Sequence, residues 1–518
     1  MKTFTLNAAS GRKPLEKYWE LCVGSCHATT ALREDYRRQL AQCRRDIGFR
    51  YVRFHGLFDD DMSVLRYDEL TGRFVLSFTN IDSIFDFLLS IGMKPFVELG
   101  FMPDCLKSKE GRTVFHYKGI TAPPADYERW AWLIRSFAAH LLERYGADEV
   151  RQWFFEVWNE PNLGGPDSPD GFWAGSMEEY FRLYRATALA LKAVDSCLPV
   201  GGPATSNNAW IPEMVRFCRE SGTPIDFIST HHYPTDVVLG YGVEDSLNFV
   251  KPPKDRSEEA MREFRKNLTV FESHLWEKVE RGVLTKMTRK AVGEAQGLPV
   301  YYTEWNSLAG LPSDGPFGAS FIAKTVLDGV GLVKGYSYWT FSDIFEEGGM
   351  PSAAFHGGFG LLTLQGIPKA TYRAFQLLHG LGESLYDARL EDGTLDVYAV
   401  RKDASHSLQL LAVNHNSLLH PIAPEHLRIE LANLGAGAVL RADLQRVDET
   451  HANALRCWEQ MGKPEYITPA QQAQLCAASE LSREALEIPV AGGKASVELD
   501  LPPMGIALLT VYLQESAS

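Results

Sequence analysis

The chain lacks what would take it to nucleic acid or into a membrane. Its formal charge is −14 at neutral pH, and no run of Lys and Arg is long enough to reverse that sign locally. Binding to a phosphate backbone draws its affinity from clustered cations, so no nucleic-acid partner is expected. No stretch approaches membrane-spanning length, and the opening "MKTFTLNAASGRKPLEKYWE" has no apolar core of a secretory signal, so no membrane association is expected. The eight cysteines include no close CxxC pair, and Cys22 and Cys26 stand alone on an apolar stretch. Reduced thiols and a cytoplasmic location are expected, or a periplasmic one if a leader was removed. Glycine-rich phosphate loops are also missing after the first strand-like run, which disfavours a nucleotide-binding open sheet.

What is there is a regular alternation. The apolar runs "ELCVGSC", "FRYVRFHG", "KPFVELGF", "QWFFEVWNE", "LPVGGPA", "IDFISTHHY", "LPVYYTEWN" and "VKGYSYWTF" read as eight strands. Between and after them lie helical patterns such as "REDYRRQLAQCRRDIG" and "MEEYFRLYRATALALKAV", with "KATYRAFQLLHGLG" as the eighth; several stop at a glycine. That count predicts an α/β fold, a (β/α)8 TIM barrel over residues 16–382. "LRYDELTGRFVLSF" reads as a β-hairpin, and 257–296 as a long helical connection. After Gly382, short alternating strands such as "LDVYAVRKD", "SLQLLAVNHN" and "GIALLTVYL" predict an accessory β-sandwich over 383–518. A helical insertion is expected near 449–486, and the N-terminal strand in 1–15 is expected to join the sandwich.

A parallel barrel carries its active site at the C-terminal ends of its strands. Strand four ends in Asn159, Glu160 and Pro161, and strand seven in Thr303, Glu304, Trp305 and Asn306. Strand two offers Arg53 and His55, strand six His231, His232 and Tyr233, and strand eight Trp339 followed by Glu346 and Glu347. Two carboxylates facing each other over one cavity suit glycoside hydrolysis. One protonates the leaving oxygen, and in retaining enzymes the other, about 5 Å away, attacks the sugar. Coupled charges at that range raise one pKa, and the aromatic approach "WFFEVW" favours a protonated Glu160 by desolvation.

The motifs "RFHGLF", "FEVWNEPNL", "DFISTHHYP", "YYTEWNS" and "SYWTFSDIFEE" resemble glycoside hydrolase family 39, a clan A family typified by β-xylosidases and α-L-iduronidases. "QRVDETHANALRCWEQMG" and "LPPMGIALLTV" resemble its accessory sandwich, so the likeness covers nearly the whole chain. The resemblance implies Glu160 as acid/base and Glu304 as nucleophile. It implies Asn159 on the sugar's 2-hydroxyl, with His55, His231 and Tyr233 lining the same subsite. Trp339 would floor the pocket, and Glu346 or Glu347 would grip outer hydroxyls.

Plainer readings stand beside these. His231 and His232 are adjacent, so a strand sends them opposite ways and one is core. Glu346 and Glu347 could form a solvated loop face. Arg53 suits a buried partner for Glu156 or Glu304, and Trp158 and Trp305 suit packing.

The expected activity is that of a retaining exo-glycosidase releasing xylose from short β-xylo-oligosaccharides. An α-L-iduronidase-like or arabinosidase-type enzyme is the alternative, and a non-catalytic glycan-binding protein a remote one. The acids around the site favour a neutral pentose over a uronate. No motif calls for a metal or an organic cofactor, and none is expected.

Overall fold

The computed structural model describes residues 1–108, 112–168, 171–236, 257–307, 310–434 and 439–513. Eight parallel strands close a barrel: β1 (Cys22–His27), β2 (Tyr51–His55), β3 (Lys94–Leu99), β4 (Phe154–Val157), β5 (Val200–Thr205), β6 (Phe227–His232), β7 (Val300–Trp305) and β8 (Gly335–Tyr338). Each coincides with one of the eight apolar runs. Helices follow every strand, for example Glu34–Ile47 after β1 and Ala370–His379 after β8. The first of these ends at Gly48 with φ +86, a left-handed stop that glycine adopts without the penalty of a Cβ.

Side chains at alternate strand positions share one face, and this period stacks the barrel interior in layers. At the N-terminal end Phe96, Phe154, Phe227 and Tyr301 form an aromatic plug, with Phe96 and Phe154 stacked at 4.9 Å. Two residues further along, the layer turns polar: Glu98, Glu156 and Thr303, with Arg53 from β2, are all buried. The apolar start of "WFFEVWNE" therefore seals the barrel floor, and its later residues carry charge upward.

The hairpin reading of 65–78 holds, with Leu65–Asp68 antiparallel to Arg73–Leu76. The 257–296 segment contains two helices, Glu258–Trp276 and Val283–Glu294. Between them Arg281 donates to the His415 carbonyl at 2.8 Å and pairs with Asp396, so this connection bolts the barrel to the second domain.

The second domain is one ten-stranded sheet curled into a sandwich. Strand Glu484–Ala491 pairs with Val439–Val447 in one layer and Lys494–Leu501 in the other. The N-terminal strand Lys2–Asn7 lies parallel to Glu425–Ala432 and packs Phe4 and Leu6 into the sandwich core. Within the polar insertion, helices occupy Ala454–Gln460 and Pro469–Ala478, and the sheet resumes at Glu484. No helix among the described residues is long and apolar enough to cross a membrane.

Candidate active site

Arg53 organises the centre. Its side chain is fully buried and reaches Glu156 at 2.5 Å, Glu304 at 2.8 Å and Glu98 at 2.9 Å. It also donates to Asn159 Oδ1 at 2.9 Å. Both partners named for Arg53 from sequence are thus engaged, with Glu98 as a third. Because guanidinium only donates, the Asn159 oxygen faces it and the amide NH2 is left to donate elsewhere.

Past β4 the chain turns through Trp158 at φ +73 and Glu160 at φ +41. Non-glycine residues occupy this region at a cost and only when the surroundings hold them there. Here Trp158 is fully buried with Nε1 on the Phe172 carbonyl at 2.7 Å, and the Glu160 amide donates to the Ala204 carbonyl at 2.8 Å. The turn aims the Glu160 carboxyl across the barrel mouth.

Glu160 Oε1 meets His231 Nδ1 at 3.0 Å, and the same nitrogen lies 3.7 Å from Glu304 Oε2. One oxygen of each glutamate lies within 4.8 Å of the other. Glu304 is held by Arg53 at 2.8 Å and by the Tyr233 phenol donating at 3.0 Å, and His55 Nε2 lies 3.7 Å away. His55 in turn sits against Glu98 through Nδ1 at 2.7 Å.

These neighbours separate the two carboxyls. Burial and the Glu304 charge push Glu160 well above the usual carboxylate range. Burial raises Glu304 as well, but Arg53, His55 and the Tyr233 hydroxyl oppose it. The shared proton therefore belongs on Glu160.

A relay beneath the pair agrees. Thr303 gives its hydroxyl proton to Glu156 Oε1 at 2.7 Å, so its oxygen must accept from His231 Nε2 at 3.1 Å. Burial and Arg53 hold His231 well below its ordinary pKa, hence neutral. With its one proton on Nε2, His231 presents a lone pair at Nδ1, which can only accept from Glu160. The relay requires a protonated Glu160.

His232 points the other way, stacked on Tyr302 at 3.8 Å with Nε2 on the Tyr336 hydroxyl at 2.5 Å. Register shifts in β6 at Thr230/His231 and in β7 beyond Tyr302 set which histidine faces inward. Trp339 lies 4.7 Å from the His55 ring. A Cβ on Gly24 would sit 2.4 Å from the Trp339 ring, so this glycine makes room for the indole. Trp305 is buried and stacked on Tyr336 at 4.4 Å, as a packing residue would be.

The paired acids divide. Glu347 turns inward, 3.8 Å from His55 Nε2. Partial burial, with Glu304 and Glu98 nearby, raises its pKa above the usual carboxylate range and favours its protonated form. Glu346 instead hydrogen-bonds His27, which lowers its pKa. Sequence reading had no signal to part these two, and it did not single out Glu98, Thr303 as a hydrogen-bond relay, or Asp236. Asp236 accepts from the Tyr233 amide at 2.7 Å, and its burial pushes it up to about 7.

Comparison with known proteins identifies the family. A family model for glycosyl hydrolases family 39 matches residues 2–273 and 262–494. The chain is 47% identical over 518 residues to a beta-xylosidase of Caldicellulosiruptor saccharolyticus, covering 98% of each protein. It is 36% identical to a beta-xylosidase of Geobacillus stearothermophilus, over 90% of this chain and 86% of that one. A monomeric beta-xylosidase of Caulobacter crescentus CB15 superposes with a TM-score of 0.81 at 30% identity, covering 99% of this chain and 100% of that chain. The chain belongs to glycosyl hydrolase family 39.

Proposed function

We propose that the protein is a retaining exo-β-xylosidase that removes xylose from the non-reducing end of short xylo-oligosaccharides, with Glu304 as nucleophile and Glu160 as acid/base. The observation that carries this is the approach of the two carboxyls to within 4.8 Å, in surroundings that favour the proton on Glu160 while Arg53 and Tyr233 donate to Glu304. Inverting enzymes hold their carboxyls about 6.5–9.5 Å apart to admit a water. The sugar is taken from the relatives named beta-xylosidase, which align along almost the whole chain.

In the first step Glu304 attacks the anomeric carbon, the glycosidic C–O bond breaks, and the Glu160 proton passes to the leaving oxygen. Esterification removes the Glu304 charge, the second-largest cause of Glu160's raised pKa after burial. Glu160 then ionises more readily and serves as the base that deprotonates the attacking water. Asn159, with its oxygen pinned by Arg53, donates its NH2 to the 2-hydroxyl. Trp339 floors the pocket, and His55 and Glu347 face the outer hydroxyls. Glu346 supports this wall through His27 rather than reaching sugar itself.

The eight free cysteines fit a cytoplasmic enzyme finishing imported oligosaccharides. Following hydrolysis of an aryl β-D-xyloside by proton NMR tests the reading. β-Xylose should appear first and mutarotate later; α-xylose as the first product, or no turnover of the xyloside, would overturn it.

A further inference from the structure

Beside the sugar site, the end of β1 and the loops after β2 and β8 meet around His27, Asp59 and Asp61. His27 is 1% exposed, and its Nε2 bonds the Glu346 carboxylate. A carboxylate accepts, so in the neutral ring the proton sits on Nε2 and Nδ1 is a bare lone pair. That lone pair has no hydrogen-bond partner and faces Asp61 Oδ2 at 3.8 Å, acceptor against acceptor and too far for a hydrogen bond. Asp59 is 5% exposed, and neither of its oxygens has a hydrogen-bond partner. Burial, with Asp61 close by, pushes Asp59 well above the usual carboxylate range, and the nearby Phe101 amide opposes this without reaching hydrogen-bond geometry. Gly56, at φ +68, leaves the space this carboxylate fills, since a Cβ there would sit 2.3 Å from Asp59 Oδ2.

Something positive belongs between these groups. We propose that His27, Asp59 and Asp61 bind one divalent cation of the zinc class. One ligand atom from each lies within 4.8 Å of the other two. Zinc–ligand bonds run about 2.0–2.2 Å, so closing on an ion needs a movement of less than about 1 Å per ligand. One neutral imidazole and two carboxylates balance a double positive charge. A nitrogen in the set suits zinc better than magnesium or calcium, which prefer all-oxygen cages. Glu346 supplies the outer carboxylate that fixes the tautomer and orientation of a metal-bound histidine. The ion would tie the β2 loop to the end of β1, where His27 bonds Glu346 of the β8 loop, and so steady Glu347, the next residue, at the pocket wall.

The test uses the full-length chain without a histidine tag, stripped with chelator, equilibrated with zinc chloride and freed of excess by gel filtration. About one zinc per chain should be retained, and zinc should raise the melting temperature. Asp59→Asn and Asp61→Ala should each retain at least tenfold less zinc and lose the thermal shift. Asp61 is partly exposed, so Asp61→Ala keeps the test meaningful if Asp59→Asn fails to fold. Glu304→Ala should keep its zinc, which separates this site from the catalytic glutamates. Absence of retained zinc in the parent, or equal retention by Asp61→Ala, would overturn the proposal. So would nitrogen NMR showing both His27 nitrogens protonated in the zinc-treated protein, which would assign a proton to the gap.

Discussion

Replacing Thr303 with valine should move the basic limb of the pH profile to lower pH. Valine keeps the shape and removes the hydroxyl that accepts from His231 Nε2 at 3.1 Å and donates to Glu156 at 2.7 Å. Without that acceptor, nothing favours the Nε2–H tautomer, and His231 can carry its proton on Nδ1 and donate it to an ionised Glu160. The acid then loses its proton at lower pH, and activity falls as pH rises through that point. A buried neutral hydrogen bond contributes about 1 kcal/mol, so the tautomer balance should change about fivefold. Above the optimum, kcat/KM for xylobiose should drop by that factor, while an activated aryl xyloside is nearly unaffected. The Glu156 oxygen left without its Thr303 donor should cost stability as well, about 1–3 kcal/mol by chemical denaturation. Thr303→Ser should restore the limb. A valine variant whose basic limb stays in place, or moves upward, would refute the relay.

Other consequences can be checked alongside. Glu160→Ala should cripple xylobiose far more than aryl xylosides with good leaving groups and should flatten the basic limb; equal losses on both would move the acid role elsewhere. Arg53→Met leaves Glu98, Glu156 and Glu304 without their common partner, and should destabilise by about 3–5 kcal/mol in a denaturant titration. Because its surroundings favour the protonated form of Glu347, Glu347→Gln should keep xyloside kcat/KM within about tenfold, whereas Glu347→Lys should damage it far more; a Gln variant as poor as Lys would show that Glu347 acts ionised. A uronate roughly 6 Å from the Glu304 charge meets about 3 kcal/mol of repulsion at an effective dielectric near 20, so aryl β-D-xyloside should exceed aryl α-L-iduronide by about two orders of magnitude in kcat/KM.

Much of this protein is legible in its sequence because two periods do the writing. Strands of period two separated by amphipathic helices give the barrel, and the abrupt end of "WFFEVWNEP" places Glu160 at its rim. The sandwich was legible too, except that strands Ser384–Asp392 and Glu484–Ala491 were not separated from their surroundings. The inward choice between His231 and His232 depends on register shifts, which leave no local signature. Glu346 and Glu347 diverge because a loop, not a strand, carries them, and loops have no fixed alternation. Gly24 is unremarkable in "CVGSC" until the Trp339 ring is seen to fill the place of its missing side chain. The Thr303 relay was hidden for a related reason, since a strand threonine advertises packing and its role depends on what two other strands set beside it.

The central claim is that Glu304 forms a covalent bond to the sugar while Glu160 supplies the proton. Incubation with 2,4-dinitrophenyl 2-deoxy-2-fluoro-β-D-xyloside tests it most directly, because the fluorine slows release of the intermediate and the activated leaving group allows it to form. Intact-mass measurement should show one fluoroxylosyl group added per chain, and peptide mapping should place it on Glu304. A label on another residue, or rapid turnover of a parent xyloside by Glu304→Ala, would contradict the account.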